Sequence, residues 1–145
     1  MYIALHNSFS SKQVEEFAKV VFGMGLNTIV FTKASSSAAQ NGIPIVQKMA
    51  IKNNKNLVYL EDINDAIEIL NPEKVIMITN SNIGKEKLNF EEIGEKDLIV
   101  FCGSNSGFSL KEIESANAEP KHLLGVNIGP IGEASILLYN TLKDQ

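Results

Sequence analysis

The chain contains no arginine: all thirteen of its basic residues are lysines. Without guanidinium groups it has no bidentate fork for phosphate or carboxylate, and any charge recognition runs through point charges. Its single cysteine, Cys102, sits inside the apolar run LIVFC and reads either as a buried small hydrophobe or as a reactive thiol. No apolar run approaches the roughly 20 residues of a membrane span. Met1 leads directly into a strand-like segment, without the basic, apolar and small-residue sections of a secretory leader. A cytoplasmic protein with no membrane partner is the expectation. Linkers, low-complexity segments and internal repeats are also lacking, so residues 1–145 are read as one domain large enough for a real core.

What is present is unevenly charged. The formal net charge is −4. Residues 1–60 hold six lysines against Glu15 and Glu16, whereas residues 61–145 hold seven lysines against fifteen acids. This split fits a solvated surface with uneven coding, or a lysine-lined amino-terminal face for phosphates.

Apolar runs and helical patterns alternate along the chain. YIALH (2–6), TIVFT (28–32), NLVYL (56–60), KVIMIT (74–79), DLIVFC (97–102) and HLLGV (122–126) read as strands. Ser10-x-x-Gln13 is a capping-box pattern before Val14, Phe17, Ala18, Val21 and Phe22, with Gly23 and Gly25 ending that helix. Residues 33–42 read as a loop with at most one weak turn, and Pro44 suits the first turn of a helix to about Asn53. Asp62 caps INDAIEIL, and Ser109 with Glu112 forms a second capping box before a short helix to about Ala116. In the polar stretch after the fourth strand, Leu88, Phe90 and Ile93 are the anchors. A helix from Gly132 to about Lys143 closes the chain.

Continuous apolar strands alternating with helices predict a doubly wound, parallel-sheet α/β domain of Rossmann-like type. Ligands of such sheets bind beyond the carboxyl ends of the strands. There the chain places His6–Asn7–Ser8, Thr32–Lys33, Thr79–Asn80–Ser81, Gly103–Gly107 and LLGVNIGPIG, residues 123–132. The last stretch carries Gly125, Gly129, Pro130 and Gly132. Such density serves tight turns, or lets bare backbone press against a ligand.

LIVFCGSNSGFSLKEI resembles the second motif of the SpoU–TrmH branch of the SPOUT superfamily, and HLLGVNIGPIGEASILLYN resembles its third. The amino-terminal strand, helix, Phe22–Gly23 and second strand are similar as well, so the resemblance covers nearly the whole chain. It implies a carboxyl-terminal trefoil knot and an S-adenosyl-L-methionine-dependent RNA methyltransferase acting on tRNA or rRNA. The pocket it implies comprises Thr79, Phe101, Gly103, Leu123, Leu124, Gly125, Val126, Ile128, Gly129 and Ala134, with no metal. The family's first-motif Asn and Arg fall at Ser11 and Phe17, and its second-motif glutamate at Asn105 or Ser104. Catalytic candidates are therefore reduced to His6, Lys12 and Asn105, with His122 beside the pocket loop. Other readings are a relative that binds S-adenosyl-L-methionine or RNA without catalysis, and an unknotted nucleotide-binding module. GSNSG, however, lacks the spacing of a dinucleotide fingerprint. If RNA binds, Lys12, Lys19 and Lys33 are its expected phosphate contacts. The resemblance also implies a homodimer, and Ile136, Leu137, Leu138, Tyr139 and Leu142 offer more apolar surface than one helix face buries.

Overall fold

The computed structural model of the protein describes residues 1–142. The first five apolar runs become strands β1 (Tyr2–His6), β2 (Thr28–Thr32), β3 (Asn56–Leu60), β4 (Val75–Thr79) and β5 (Leu98–Cys102). With β6 (Glu119–His122) they form one parallel sheet in the order β3-β2-β1-β5-β4-β6. Residue alternation sorts each strand between two cores. Ile3, Leu5, Ile29, Phe31, Ile99 and Phe101 face α1 (Ser11–Gly23), α2 (Ile43–Lys52) and α5 (Pro130–Leu142). Ala4, Val30, Met77, Leu98 and Val100 face α3 (Ile63–Leu70) and α4 (Leu110–Ser115). The fold is thus the α/β, parallel-sheet class read from the sequence. No helix among the described residues is long and apolar enough to cross a membrane.

Three local expectations need correction. The sixth strand is EPKH, four residues upstream of where the apolar pattern put its end. Glu119, Pro120, Lys121 and His122 stand opposite Ile76, Met77, Ile78 and Thr79 of β4. The strand lies at the sheet's flank, where Pro120 is tolerated and apolar content is not required. Leu123 then turns into the core at 1% exposure, which explains its apolar character.

Residues 33–42 are also more ordered than a loop. Ala38–Gly42 forms a π-helical turn that runs straight into α2. A Cβ on Gly42 would lie 3.0 Å from Ser11 Cα and from Val14 Cβ, so glycine lets this turn press against α1. The first capping box is only half made. Ser10 accepts from the Gln13 amide, but the Gln13 side chain accepts from Phe9 N and donates through Nε2 to the Gly103 carbonyl, each at 3.1 Å. Gln13 thereby ties α1 to the loop after β5.

The capping boxes at Asp62 and Ser109 form in full. Leu88 is buried, with Phe90 and Ile93 packed against the same core. The last helix begins at Pro130, and its predicted end near Lys143 lies outside the described residues. Segment 86–88 runs along the outer side of β6: His122 N donates to Glu86 O, and Leu88 N to His122 O. The β6 strand is therefore held between β4 and this clasp.

Candidate functional site

Three loops converge beyond the carboxyl ends of β4, β5 and β6 and enclose a cleft of about 240 Å³. Each is shaped by its own polar side chains. After β4, Asn80 Oδ1 accepts from the amides of Asn82 and Ile83 at 2.9 and 3.0 Å, an Asx turn that folds the loop back on itself. After β5, Ser104 and Ser106 share a hydroxyl hydrogen bond of 2.8 Å, and Gly107 turns with φ +72°. After β6, Asn127 Oδ1 accepts from Gly129 N at 2.9 Å, and Gly129 (φ +85°) carries the chain into α5. Only glycine adopts that last conformation without strain.

The wall is polar and almost uncharged. Thr79, Asn80, Ser81 and Asn82 contribute one side, Ser104, Asn105, Ser106 and Gly107 another, and Leu124, Gly125, Val126 and Asn127 the third. Cys102 and Ile78 also line it. Glu133, from the first turn of α5, is the one charged side chain among the described residues of the lining. Burial pushes its carboxyl up to about 7. Burial also pushes the Cys102 thiol up, so it stays protonated at neutral pH and is a poor nucleophile. A Cβ built on Gly125 meets nothing within 4 Å, so backbone here faces open space.

The predicted pocket residues divide into two groups. Thr79, Leu124, Gly125 and Val126 line the cleft. Phe101, Leu123 and Ala134 lie beneath it, at 1% exposure or less. Gly103 is buried against the β1–α1 loop, and its Cβ would come within 2.7 Å of Ser8 Cα. Ile128 and Gly129 belong to the loop's outer arc rather than the wall; Ile128 instead covers Gly132.

Among the catalytic candidates, Asn105 lines the cleft, whereas His6 and Lys12 are placed elsewhere. His6 is 1% exposed and stacks on Phe108. Its Nδ1 shares a hydrogen bond with Thr32 Oγ1 at 2.8 Å, and its Nε2 with Glu112 Oε2 at 2.7 Å. It is a tie between β1, β2 and α4, sealed from solvent. Burial raises the Glu112 carboxyl, but the Ser109 amide and His6 outweigh that, and the net shift is downward. Lys12 points into solvent and pairs with Glu16 at 3.9 Å, and Lys19 pairs with Glu15 at 3.6 Å. Lys33 is exposed, just past β2. His122 Nδ1 bonds the Gly84 carbonyl at 2.7 Å and serves the clasp. Sequence reasoning missed Glu133, because an acid in a first helical turn ordinarily reads as a partner for the helix dipole.

The acids do not gather. Among the described residues no three His, Cys, Asp or Glu side chains stand close enough together to hold a metal ion. Glu112 is committed to His6, and Asp97 lies just before β5, at the opposite end of that strand from the cleft, paired with Lys74 at 3.6 Å.

Residues 36–140 match the family model described as RecB-family nuclease (DUF2122). The chain is 48% identical over 143 residues to a Methanocaldococcus jannaschii protein named "Putative type II restriction enzyme MjaORF1200P", covering 99% of this chain and 97% of that one. It is 36% identical to "Putative type II restriction enzyme ApeKORF2002P" of Aeropyrum pernix, covering 96% and 90%. Its fold is similar to that of "a probable methylase family protein" from Haemophilus influenzae, with TM-score 0.72, 14% identity, and coverage of 98% of this chain and 63% of that one. The SpoU methyltransferase AviRb of Streptomyces viridochromogenes, solved in complex with the cofactor AdoMet, gives TM-score 0.69 at 7% identity, covering 99% and 57%. The chain therefore spans about three-fifths of these two solved proteins.

The chain shares the parallel-sheet α/β fold of these methylase-family and SpoU proteins. The expected RNA methyltransferase activity is corrected: the family model and both relatives carry nuclease names, and identities of 7–14% extend no further than the fold. The residues agree with the correction. Where the methyltransferase motif needs an arginine, this chain has Phe17, wholly buried in the core.

Proposed function

The chain belongs to the family described as RecB-family nuclease (DUF2122), and from that premise we propose that its three-loop cleft binds S-adenosyl-L-methionine. The cleft carries this reading. Its wall offers amide and hydroxyl groups to an adenine and a ribose, open backbone at Gly125, and one carboxyl facing a ligand with positive charge. No lysine lines it among the described residues, so it is poorly suited to a nucleotide polyphosphate. When bound, S-adenosyl-L-methionine supplies an activated sulfonium centre; the chain's own loops would hold and orient it. Calorimetric titration with S-adenosyl-L-methionine and S-adenosylhomocysteine, with ATP and NAD as controls, tests this. Absence of heat for the first two would end the reading.

A second reading, nucleic-acid hydrolysis, is favoured by the names of the two relatives. Such cleavage commonly runs through bound metal ions. The described residues do not fit one. Incubation of plasmid and linear DNA with Mg²⁺ or Mn²⁺, with and without S-adenosyl-L-methionine, is the test.

We propose three further properties. A nucleic acid would approach Lys33, with Lys12 and Lys19 weakened as contacts by their glutamate pairs. A triple Lys→Ala variant with undiminished, equally salt-sensitive binding would refute this. The chain would be a homodimer through α5, although Leu137 and Leu138 are spent in its own core and Tyr139 remains exposed. A monomer mass by light scattering at micromolar concentration would refute that. The carboxyl-terminal segment would thread the 80–97 loop as a trefoil knot. The support is that segment 86–88 passes outside β6 while α5 returns to α1, β5 and the turn at Phe90–Glu92. A crystallographic backbone trace decides it.

A further inference from the structure

We infer that Glu133 sets the specificity of the cleft by requiring a positive charge on its occupant, so that a sulfonium ligand is held in preference to the neutral thioether of the same shape. This rests on the S-adenosyl-L-methionine reading of the cleft and names the group that would discriminate there. Glu133 reaches the lining from the first turn of α5, between the β5 and β6 loops. Every other lining side chain among the described residues is neutral: the asparagines and serines are uncharged, and Cys102 keeps its proton. A carboxylate in such surroundings lacks a counter-ion and gains most from a ligand that supplies one.

Among the described residues, the charged groups of the packed elements do not supply it. From β5 the titratable neighbour is Cys102, itself influenced by Glu112 of α4 and by Lys33. From α1, Lys12 and Lys19 are held by Glu16 and Glu15. The turn at Phe90–Glu92 offers only Glu91 and Glu92, both exposed. The loop after β4 and the loop after β6 bring no titratable side chain to the lining.

Burial holds the carboxyl at about 7, so it passes from largely protonated at pH 6 to largely ionised at pH 8. If only the ionised form favours the sulfonium, preference for it rises by up to about tenfold across that range. The experiment is a pair of calorimetric titrations, S-adenosyl-L-methionine and S-adenosylhomocysteine, at pH 6 and pH 8, on the parent chain and on Glu133→Gln. The ratio of the two affinities cancels the amino-acid moiety that both ligands share. The ratio should rise severalfold with pH in the parent and stay flat in Glu133→Gln. Binding of both ligands with a flat ratio in the parent, or a rising ratio that survives Glu133→Gln, overturns the inference and leaves the cleft reading standing. Failure of both ligands to bind at either pH overturns the cleft reading, and the inference with it.

Discussion

Replacing Glu133 by glutamine should stabilise the protein at pH 8 and do little at pH 5. Burial raises this carboxyl from an ordinary 4.5 to about 7. A folded chain that keeps its proton more tightly than the unfolded one is favoured below the unfolded value, and the advantage disappears as pH rises through the folded value. The window therefore runs from about pH 4.5 to 7. The rise from 4.5 to about 7 corresponds to ~3.5 kcal/mol at most, at about 1.4 kcal/mol per pH unit. Glu133 lies in an open cleft and is partly solvated, so screening reduces this to about 1–2 kcal/mol. Glutamine keeps the shape and has no proton to lose. Urea denaturation of both proteins at pH 5 and pH 8 measures the difference directly. The stability gap should move in favour of Glu133→Gln by about 1–2 kcal/mol between the two pH values. A gap identical at both pH values would refute the argument, because the carboxyl would then titrate alike in the folded and unfolded chains.

Other substitutions probe the frame beneath the cleft. His6→Ala leaves the Thr32 hydroxyl and the Glu112 carboxylate without their partner and should cost about 3 kcal/mol in urea unfolding. Gly103→Ala sets a Cβ 2.7 Å from Ser8 Cα and 2.8 Å from Asn7 O, backbone that cannot yield, and should lower the melting temperature sharply. Gly125→Ala should leave it unchanged, since the new methyl meets nothing. Gly125→Val should keep the fold and weaken S-adenosyl-L-methionine in calorimetry, since a branched side chain stands where open backbone faced the ligand. Ser8→Ala removes a buried hydroxyl that has no partner among the described residues, and should leave stability equal or raise it by about 1 kcal/mol.

Five strands were legible because each is an apolar run, four of them buried from both faces of a parallel sheet and β3 half-covered at its border. The sixth was not, because flank position and the clasp let EPKH pair without apolar content, while the apolar residue that imitated a strand, Leu123, is a core plug. The same ambiguity affects the site. Phe101, Leu123 and Ala134 belong to the motifs by sequence but support the loops from below. Motif likeness follows backbone shape, and both core and lining residues contribute to it. The polar wall at Asn80–Asn82 and Ser104–Ser106 falls within the loops expected at the strand ends. Glu133 was hidden because its burial depends on how α5 enters the cleft, which no periodicity encodes. Activity was the least legible, since a fold is shared at 7% identity while chemistry depends on a few side chains such as the missing arginine.

The clasp along β6 also bears on self-association. A parallel sheet ends in two strands with unpaired backbone, each a template on which another chain can add. On one side of this sheet that template is already occupied at its end, since His122 N and O are bonded to Glu86 and Leu88, and Pro120 offers no N–H. The free border is β3, only five residues long, with Asn56 and Tyr59 exposed. Strand-to-strand aggregation of the folded protein is thus confined to one short border, and a lysine or proline placed there should suppress it without touching the cleft.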